Sequence, residues 1–143
     1  MIMITVYSYY VLDIIHKGHL LFMKNAKALA GKDGVSVIGI LTDEAVMEKK
    51  KKPILSFEAR LDIASAIKYN DVVMPQNTYS PLTNLANIRP DIAIESSSHN
   101  KEDIEKVREY MESISGTVIV MLYFPSVSST LIKERIRKEK IRK

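Results

Sequence analysis

The sequence predicts an α/β fold in which five parallel strands form one doubly wound, Rossmann-like sheet. Five apolar runs rich in β-branched residues alternate with amphipathic stretches of helical length. The runs are continuously apolar, which is expected of strands that are covered by helices on both faces. Repeated strand–helix units are typical of parallel sheets, because each crossover between parallel strands is a helix. No linker, repeat or low-complexity segment interrupts the pattern, so we expect a single domain over residues 1–143.

The elements are expected in regular alternation along the chain. The strands are predicted at 2–9, 35–41, 71–74, 91–95 and 117–124, and the helices at about 18–30, 56–69, 80–88, 101–114 and 128–141. Ser56 is a good N-cap for the second helix, which carries Leu61 and Ala64 on one face. Ligands of such sheets bind at the carboxyl ends of the strands, where the strand order reverses. The loop after the first strand is therefore the first place to expect a site.

Composition excludes several kinds of protein. The chain has 143 residues and no cysteine, so it has no disulfide framework, thiol nucleophile or thiolate metal site. No apolar run reaches the roughly 18 residues that span a bilayer. The first residues also lack the basic leader of a secretory signal. These features predict a cytoplasmic protein with no membrane partner.

The net charge of +4 comes from the end of the chain. Residues 133–143 carry seven basic and two acidic side chains, so the rest of the chain is close to neutral. Cations near the C-terminus of a helix are favourably placed and are usually solvated. We therefore interpret this segment as a solvated basic helix at the end of the chain. We favour that interpretation over a nucleic-acid-binding tail.

Two of the three histidines, His16 and His19, lie in the loop after the first strand, with Gly18 between them. They could be metal ligands, phosphate binders or ordinary residues at the start of a helix. A metal site needs a further ligand, and no neighbouring residue has convincing spacing, so we expect no metal ligands. Glycine allows close approach of a ligand to the backbone, and the next helix directs its N-terminal amides at the same point. The pattern favours a polyphosphate.

The segment His16-Lys17-Gly18-His19 resembles the H-x-G-H signature of the cytidylyltransferase-like nucleotidyltransferases. The stretch SVSSTLIKERI (126–136) resembles the second signature of that family, I-S-[ST]-T-x-[IL]. Between them, LTDEAVMEKKKKPILSFEAR (41–60) resembles the family segment that carries lysines and an arginine. The likeness is greatest to the glycerol-phosphate and phosphonate cytidylyltransferases, and it spans the chain in order.

This resemblance implies transfer of a nucleoside monophosphate, CMP by the greatest likeness, from a nucleoside triphosphate to a small molecule that bears a phosphate or phosphonate. Pyrophosphate leaves, and Mg²⁺ accompanies the triphosphate. The resemblance also implies CTP or ATP as donor and a homodimer. The catalytic residues would be His16, His19 and Arg60. The nucleotide and its phosphates would be bound by Gly18, Ser128, Ser129, Thr130 and Lys133, and the acceptor phosphate by Lys50, Lys52 and Arg60.

Two departures from the family pattern keep other activities open. Tyr123 stands where many relatives have an arginine that contacts the triphosphate, and SSSH (96–99) stands where many have G-D-D-W beside the base. One alternative is an adenylyltransferase of the same superfamily, acting on phosphopantetheine, a flavin or nicotinamide mononucleotide, or a heptose phosphate. Another is a nucleotide-binding protein with weak catalysis.

Overall fold

The computed structural model describes residues 3–122 and 129–142 and contains a five-stranded, fully parallel sheet in the order β3-β2-β1-β4-β5. The strands are β1 (Thr5–Tyr10), β2 (Val35–Leu41), β3 (Val72–Gln76), β4 (Ile92–Ser96) and β5 (Thr117–Met121). The predicted α/β fold class is therefore confirmed. The strands begin and end within a few residues of their predicted limits.

Six helices lie in the described part of the chain. They are α1 (Lys17–Ala30), α2 (Asp43–Met47), α3 (Phe57–Ala66), α4 (Leu82–Ile88), α5 (Lys101–Ser113) and α6 (Ser129–Arg142). Helix α2 is absent from the sequence prediction, because five residues are too few to show a helical period. It is capped by Thr42, whose side chain accepts the N–H of Ala45 at 3.2 Å. Helix α3 ends before its predicted limit, because Ile67 has extended backbone angles (φ −82°, ψ 124°).

The reversal of strand order lies between β1 and β4. The β1–β2 ladder runs in register from Thr5 opposite Val35 to Tyr10 opposite Ile40. The β1–β4 ladder contains only two pairs, Val6 with Ile92 and Tyr7 with Ala93. Both strands continue past the last pair, so a cleft opens between their carboxyl ends, where ligands of doubly wound sheets bind.

A buried hydrogen-bond network on one face of the sheet orders the loop after β3. The Tyr7 hydroxyl donates to the Gln76 side chain at 2.6 Å and accepts from Asn84 at 2.9 Å. Gln76 in turn donates to the carbonyl groups of Thr78 and Tyr79, both at 3.1 Å. This network sets the position of a loop that reaches the cleft.

Apolar side chains bury both faces of the sheet. Leu85, Val107 and Met111 of α4 and α5 pack on one face with Tyr7. On the other face, clusters that include Met23 of α1 and Ala64 of α3 cover β1 and β2. Among the described residues, no helix is both long enough and apolar enough to cross a membrane.

Candidate functional site

A cleft of about 1050 Å³ opens at the carboxyl edge of the sheet. It brings together nearly all the site residues predicted from the sequence, namely His16, Gly18, His19, Lys50, Lys52, Ser129, Thr130 and Lys133. Ser128 and Tyr123 lie outside the described residues. Arg60 is the predicted site residue that the structure places elsewhere.

The two histidines are fixed by hydrogen bonds from the main chain at the start of α1. Nδ1 of His16, the N-cap residue, accepts the N–H of Gly18 at 3.0 Å. Nδ1 of His19 accepts the N–H of His16 at 3.2 Å, and the two ring centres are 4.0 Å apart. Because each Nδ1 is an acceptor, the proton of each neutral ring is assigned to Nε2. Both rings therefore retain one N–H donor for a ligand.

The surroundings keep both imidazoles uncharged. Burial lowers the pKa of His16. Burial, together with the neighbouring His16, lowers the pKa of His19 to about 4. At neutral pH the pair therefore consists of neutral hydrogen-bond donors at the positive end of the α1 dipole, an arrangement that suits phosphate oxygens.

Asp13 connects the histidine loop to two other segments. Its carboxylate, buried to 4% exposure, accepts the N–H groups of Ile54 at 3.0 Å and Leu55 at 2.8 Å and pairs with Lys133. Burial raises the pKa of Asp13, but the two N–H donors and Lys133 outweigh burial and lower it overall. The preceding Leu12 has a left-handed backbone (φ 59°), a strained conformation for a bulky residue that turns the chain towards this contact.

The first residue of α6 is fastened to the histidine loop. The Ser129 hydroxyl donates to the carbonyl of Ile14 at 2.8 Å, two residues before His16. Because the hydroxyl donates its proton to this carbonyl, Ser129 anchors the start of α6 to the histidine loop. Thr130 follows it on the exposed wall of the cleft.

The lysine segment after α2 also lines the cleft. Lys49 pairs with Asp103 at 3.1 Å, and its ammonium lies 5.0 Å from the ring centre of Tyr79. The Lys50 ammonium lies 5.9 Å from the same ring, and Lys52 is exposed on the cleft. These cations are placed to meet an anionic ligand.

Arg60 does not reach the cleft, which contradicts its predicted roles in catalysis and acceptor-phosphate binding. Its side chain is wholly buried. One guanidinium nitrogen donates to the carbonyl groups of Val11 and Leu41, both at 2.7 Å. The other terminal nitrogen donates to Asp43 at 2.8 Å, and Nε donates to the Leu55 carbonyl at 3.3 Å. Arg60 therefore stabilises the loops that carry these carbonyl groups and Asp43.

Sequence reasoning missed a polar cluster where the ends of β1 and β4 separate. The Tyr9 hydroxyl donates to the buried carboxylate of Glu95 at 2.6 Å, and Nδ1 of His99 bonds to the same oxygen. Burial and the charge of Glu95 raise the pKa of Tyr9, which keeps its hydroxyl protonated. The sequence offered two signals, a glutamate at the end of an apolar strand and the segment 96–99 in the place where relatives hold the base.

No group of three or more histidine, aspartate or glutamate side chains is placed to hold a metal ion within residues 3–122 and 129–142.

Comparison with known proteins relates most of the chain to one family. Residues 11–135 match a family model described as cytidylyltransferase-like. The FAD synthase of Methanopyrus kandleri is 33% identical over 84 residues, which cover 59% of this chain and 56% of that protein. The FAD synthase of Korarchaeum cryptofilum is 39% identical over 82 residues, covering 56% and 54%.

Two further matches extend over more of the chain. The bifunctional protein HldE of Alcanivorax borkumensis is 29% identical over 89% of this chain but 26% of that protein. The chain thus spans about half the length of the FAD synthases and about a quarter of HldE. The lipopolysaccharide core biosynthesis protein of Thermoplasma volcanium shares the fold, with a TM-score of 0.71, 24% identity and coverage of 85% and 97%.

The lowered pKa of His19 predicts a specific loss of stability in mild acid. Between about pH 6.5 and pH 4 the unfolded chain binds a proton at this residue and the folded chain does not. The free energy of unfolding should therefore fall as the pH falls through this range. We expect His19→Gln to lose less stability than the wild type between pH 7 and pH 5, measured by urea unfolding. Equal losses in the two proteins would contradict this assignment.

Proposed function

Because this chain belongs to the cytidylyltransferase-like family of nucleotidyltransferases, we propose that it transfers the AMP group of ATP to the phosphate of a small-molecule acceptor. The observation that carries the proposal is the pair of neutral imidazoles, His16 and His19, beside the N-terminus of α1. Helix α6 and its Lys133 face the same cleft. This combination of uncharged donors, the positive end of a helix and a cation suits a nucleoside triphosphate.

The FAD synthase relatives favour ATP as the donor and a flavin mononucleotide as the first acceptor to test. FAD consists of flavin mononucleotide joined to AMP through a pyrophosphate bond, so a synthase that joins them transfers an adenylyl group. The two relatives are 33% and 39% identical over a little more than half of this chain. CTP, which the likeness to the glycerol-phosphate and phosphonate cytidylyltransferases implies, is the alternative donor. A homodimer and a cytoplasmic location remain predictions from the sequence.

The proposed reaction needs no nucleophile from the protein. An oxygen of the acceptor phosphate attacks the α-phosphorus of ATP, and the bond from that phosphorus to the bridging oxygen breaks. Pyrophosphate leaves with the bonding electrons. The Nε2–H groups of His16 and His19 donate to the α-phosphate oxygens as negative charge grows there. Loss of one such donor costs about 3 kcal/mol of transition-state stabilisation.

Cations that line the cleft would offset the charge of the substrates. In this proposal Lys133, which pairs with Asp13, meets the triphosphate, and Lys50 and Lys52 meet the acceptor phosphate. Asp13 does not fit a role as a magnesium ligand, because its carboxylate already accepts two N–H groups and pairs with an ammonium. In this proposal a magnesium ion enters the cleft with the nucleotide, as part of the substrate.

Isotope labelling tests the proposed reaction directly. With ATP labelled at the α-phosphate and flavin mononucleotide as acceptor, we expect the label to appear in an acceptor-linked product. With ATP labelled at the γ-phosphate, the label should appear in pyrophosphate. Parallel reactions with CTP and with glycerol 3-phosphate compare donors and acceptors. Transfer of the γ-label to an acceptor, or its release as free phosphate, would contradict nucleotidyl transfer.

Substitution of the histidines should lower turnover far more than nucleotide binding. We expect His16→Ala and His19→Ala each to reduce kcat by about a hundredfold, because each removes a donor that acts mainly in the transition state. The nucleotide Kd should rise by less than about tenfold in calorimetric titration. Lys17→Ala, an exposed neighbour, is the matched control. Variants that lose stability but keep turnover per folded molecule would assign the histidines a purely structural role.

A further inference from the structure

Three stacked rings run from the protein core to the wall of the cleft. Tyr7 is buried to 1% exposure, and its ring centre lies 6.3 Å from that of Tyr9 with the planes 20° apart. The Tyr9 and His99 ring centres are 5.4 Å apart with the planes at 30°. Both distances fall in the range of favourable aromatic pairs. The stack ends on His99, whose side chain is 30% exposed and lines the cleft.

The last ring of the stack is held in a fixed orientation. Nδ1 of His99 bonds to the carboxylate of Glu95, which is 2% exposed and also accepts from Tyr9. The main-chain N–H of Ser96 lies 3.3 Å from the same nitrogen, which gives the ring a second contact. The ring is thus pre-oriented, so a ligand that contacts it need not order the side chain on binding. A buried carboxylate used in this way holds His99 more firmly than packing on Tyr9 alone.

The stack ends at the point where substrates are expected. Tyr9 and Glu95 lie on β1 and β4 beyond the last paired residues of those strands, at the reversal of strand order. Tyr79 adds a further aromatic side chain to the same cleft, with Lys49 and Lys50 close to its ring. Aromatic rings next to cations suit a ligand that combines a planar ring with phosphate groups.

We propose that His99 is a specificity-determining residue that stacks on a planar heteroaromatic ring of a substrate, so that the ligand ring becomes the fourth member of the stack. The proposal rests on the proposed function, in which two substrates carry phosphate groups. The ring is either the purine of the nucleotide donor or the ring system of the acceptor. A substrate pair with no planar ring at this position would not use the stack.

Calorimetric titration of single ligands, without turnover, tests the stack and identifies the source of the ring. The probes are ATP, flavin mononucleotide and glycerol 3-phosphate, which carries a phosphate but no ring. We expect His99→Ala to weaken one of the two ring-bearing probes about tenfold. The probe that loses affinity is the source of the ring. The other ring-bearing probe and glycerol 3-phosphate should change by less than about twofold.

His99→Phe separates stacking from other roles of this side chain. It keeps a planar ring but loses the bond to Glu95, and we expect it to bind the same probe within about threefold of the wild type. Ser98→Ala, a change in the same loop that removes no ring, is the matched control. Circular dichroism of each variant checks that the fold is kept.

Four outcomes would overturn the proposal. They are wild-type protein that binds neither ring-bearing probe, unchanged binding of both in His99→Ala, an equal loss for glycerol 3-phosphate, or a loss in His99→Phe as large as in His99→Ala. The labelling reaction is a separate measurement. Absence of label transfer together with ring-dependent binding would remove the proposed function and leave the stack. Label transfer whose rate does not change in His99→Ala would remove the stacking proposal and leave the proposed function.

Discussion

The buried carboxylate of Asp13 is the contact on which the geometry of the cleft depends. It joins the histidine loop to main-chain N–H groups 41 and 42 positions away and to a lysine 120 positions away. These contacts connect the histidine loop, the segment before α3, and α6 through one carboxylate that is 4% exposed. Arg60 makes a second buried connection, because its guanidinium donates to three carbonyl groups and to Asp43. Together these two side chains connect the segments that surround the cleft.

The three histidines of the cleft are oriented by different partners. Main-chain N–H groups make Nδ1 of His16 and His19 an acceptor, which leaves Nε2–H towards the ligand. Nδ1 of His99 lies between the Glu95 carboxylate and the main-chain N–H of Ser96. The first arrangement supplies donors for phosphate oxygens, and the second supplies an oriented ring. The cleft therefore contains a site suited to phosphate groups and a separate wall suited to a planar ring.

The sequence predicts the fold well, because continuous apolar runs identify strands that are buried on both faces. It also predicts that His16, Gly18 and His19 lie at the carboxyl edge of the sheet, because they follow the first strand and precede a helix. It misassigns Arg60, because the carbonyl groups that saturate this side chain come from Val11, Leu41 and Leu55, whose proximity only the fold creates. The His99 stack escapes prediction for the same reason, since Tyr9 and Glu95 meet only across adjacent strands. Helix α2 is too short to leave a periodic signal.

Nitrogen-15 NMR of the histidine rings at neutral pH tests the central claim most directly, because it reports both charge and tautomer. Assignment uses single histidine-to-glutamine variants. The structure requires His16 and His19 to be neutral with the proton on Nε2, and a non-hydrolysable ATP analogue should shift these Nε2–H signals as they donate to phosphate. Charged rings at neutral pH, protons on Nδ1, or Nε2–H signals that do not shift when the analogue is added would contradict the account of the site.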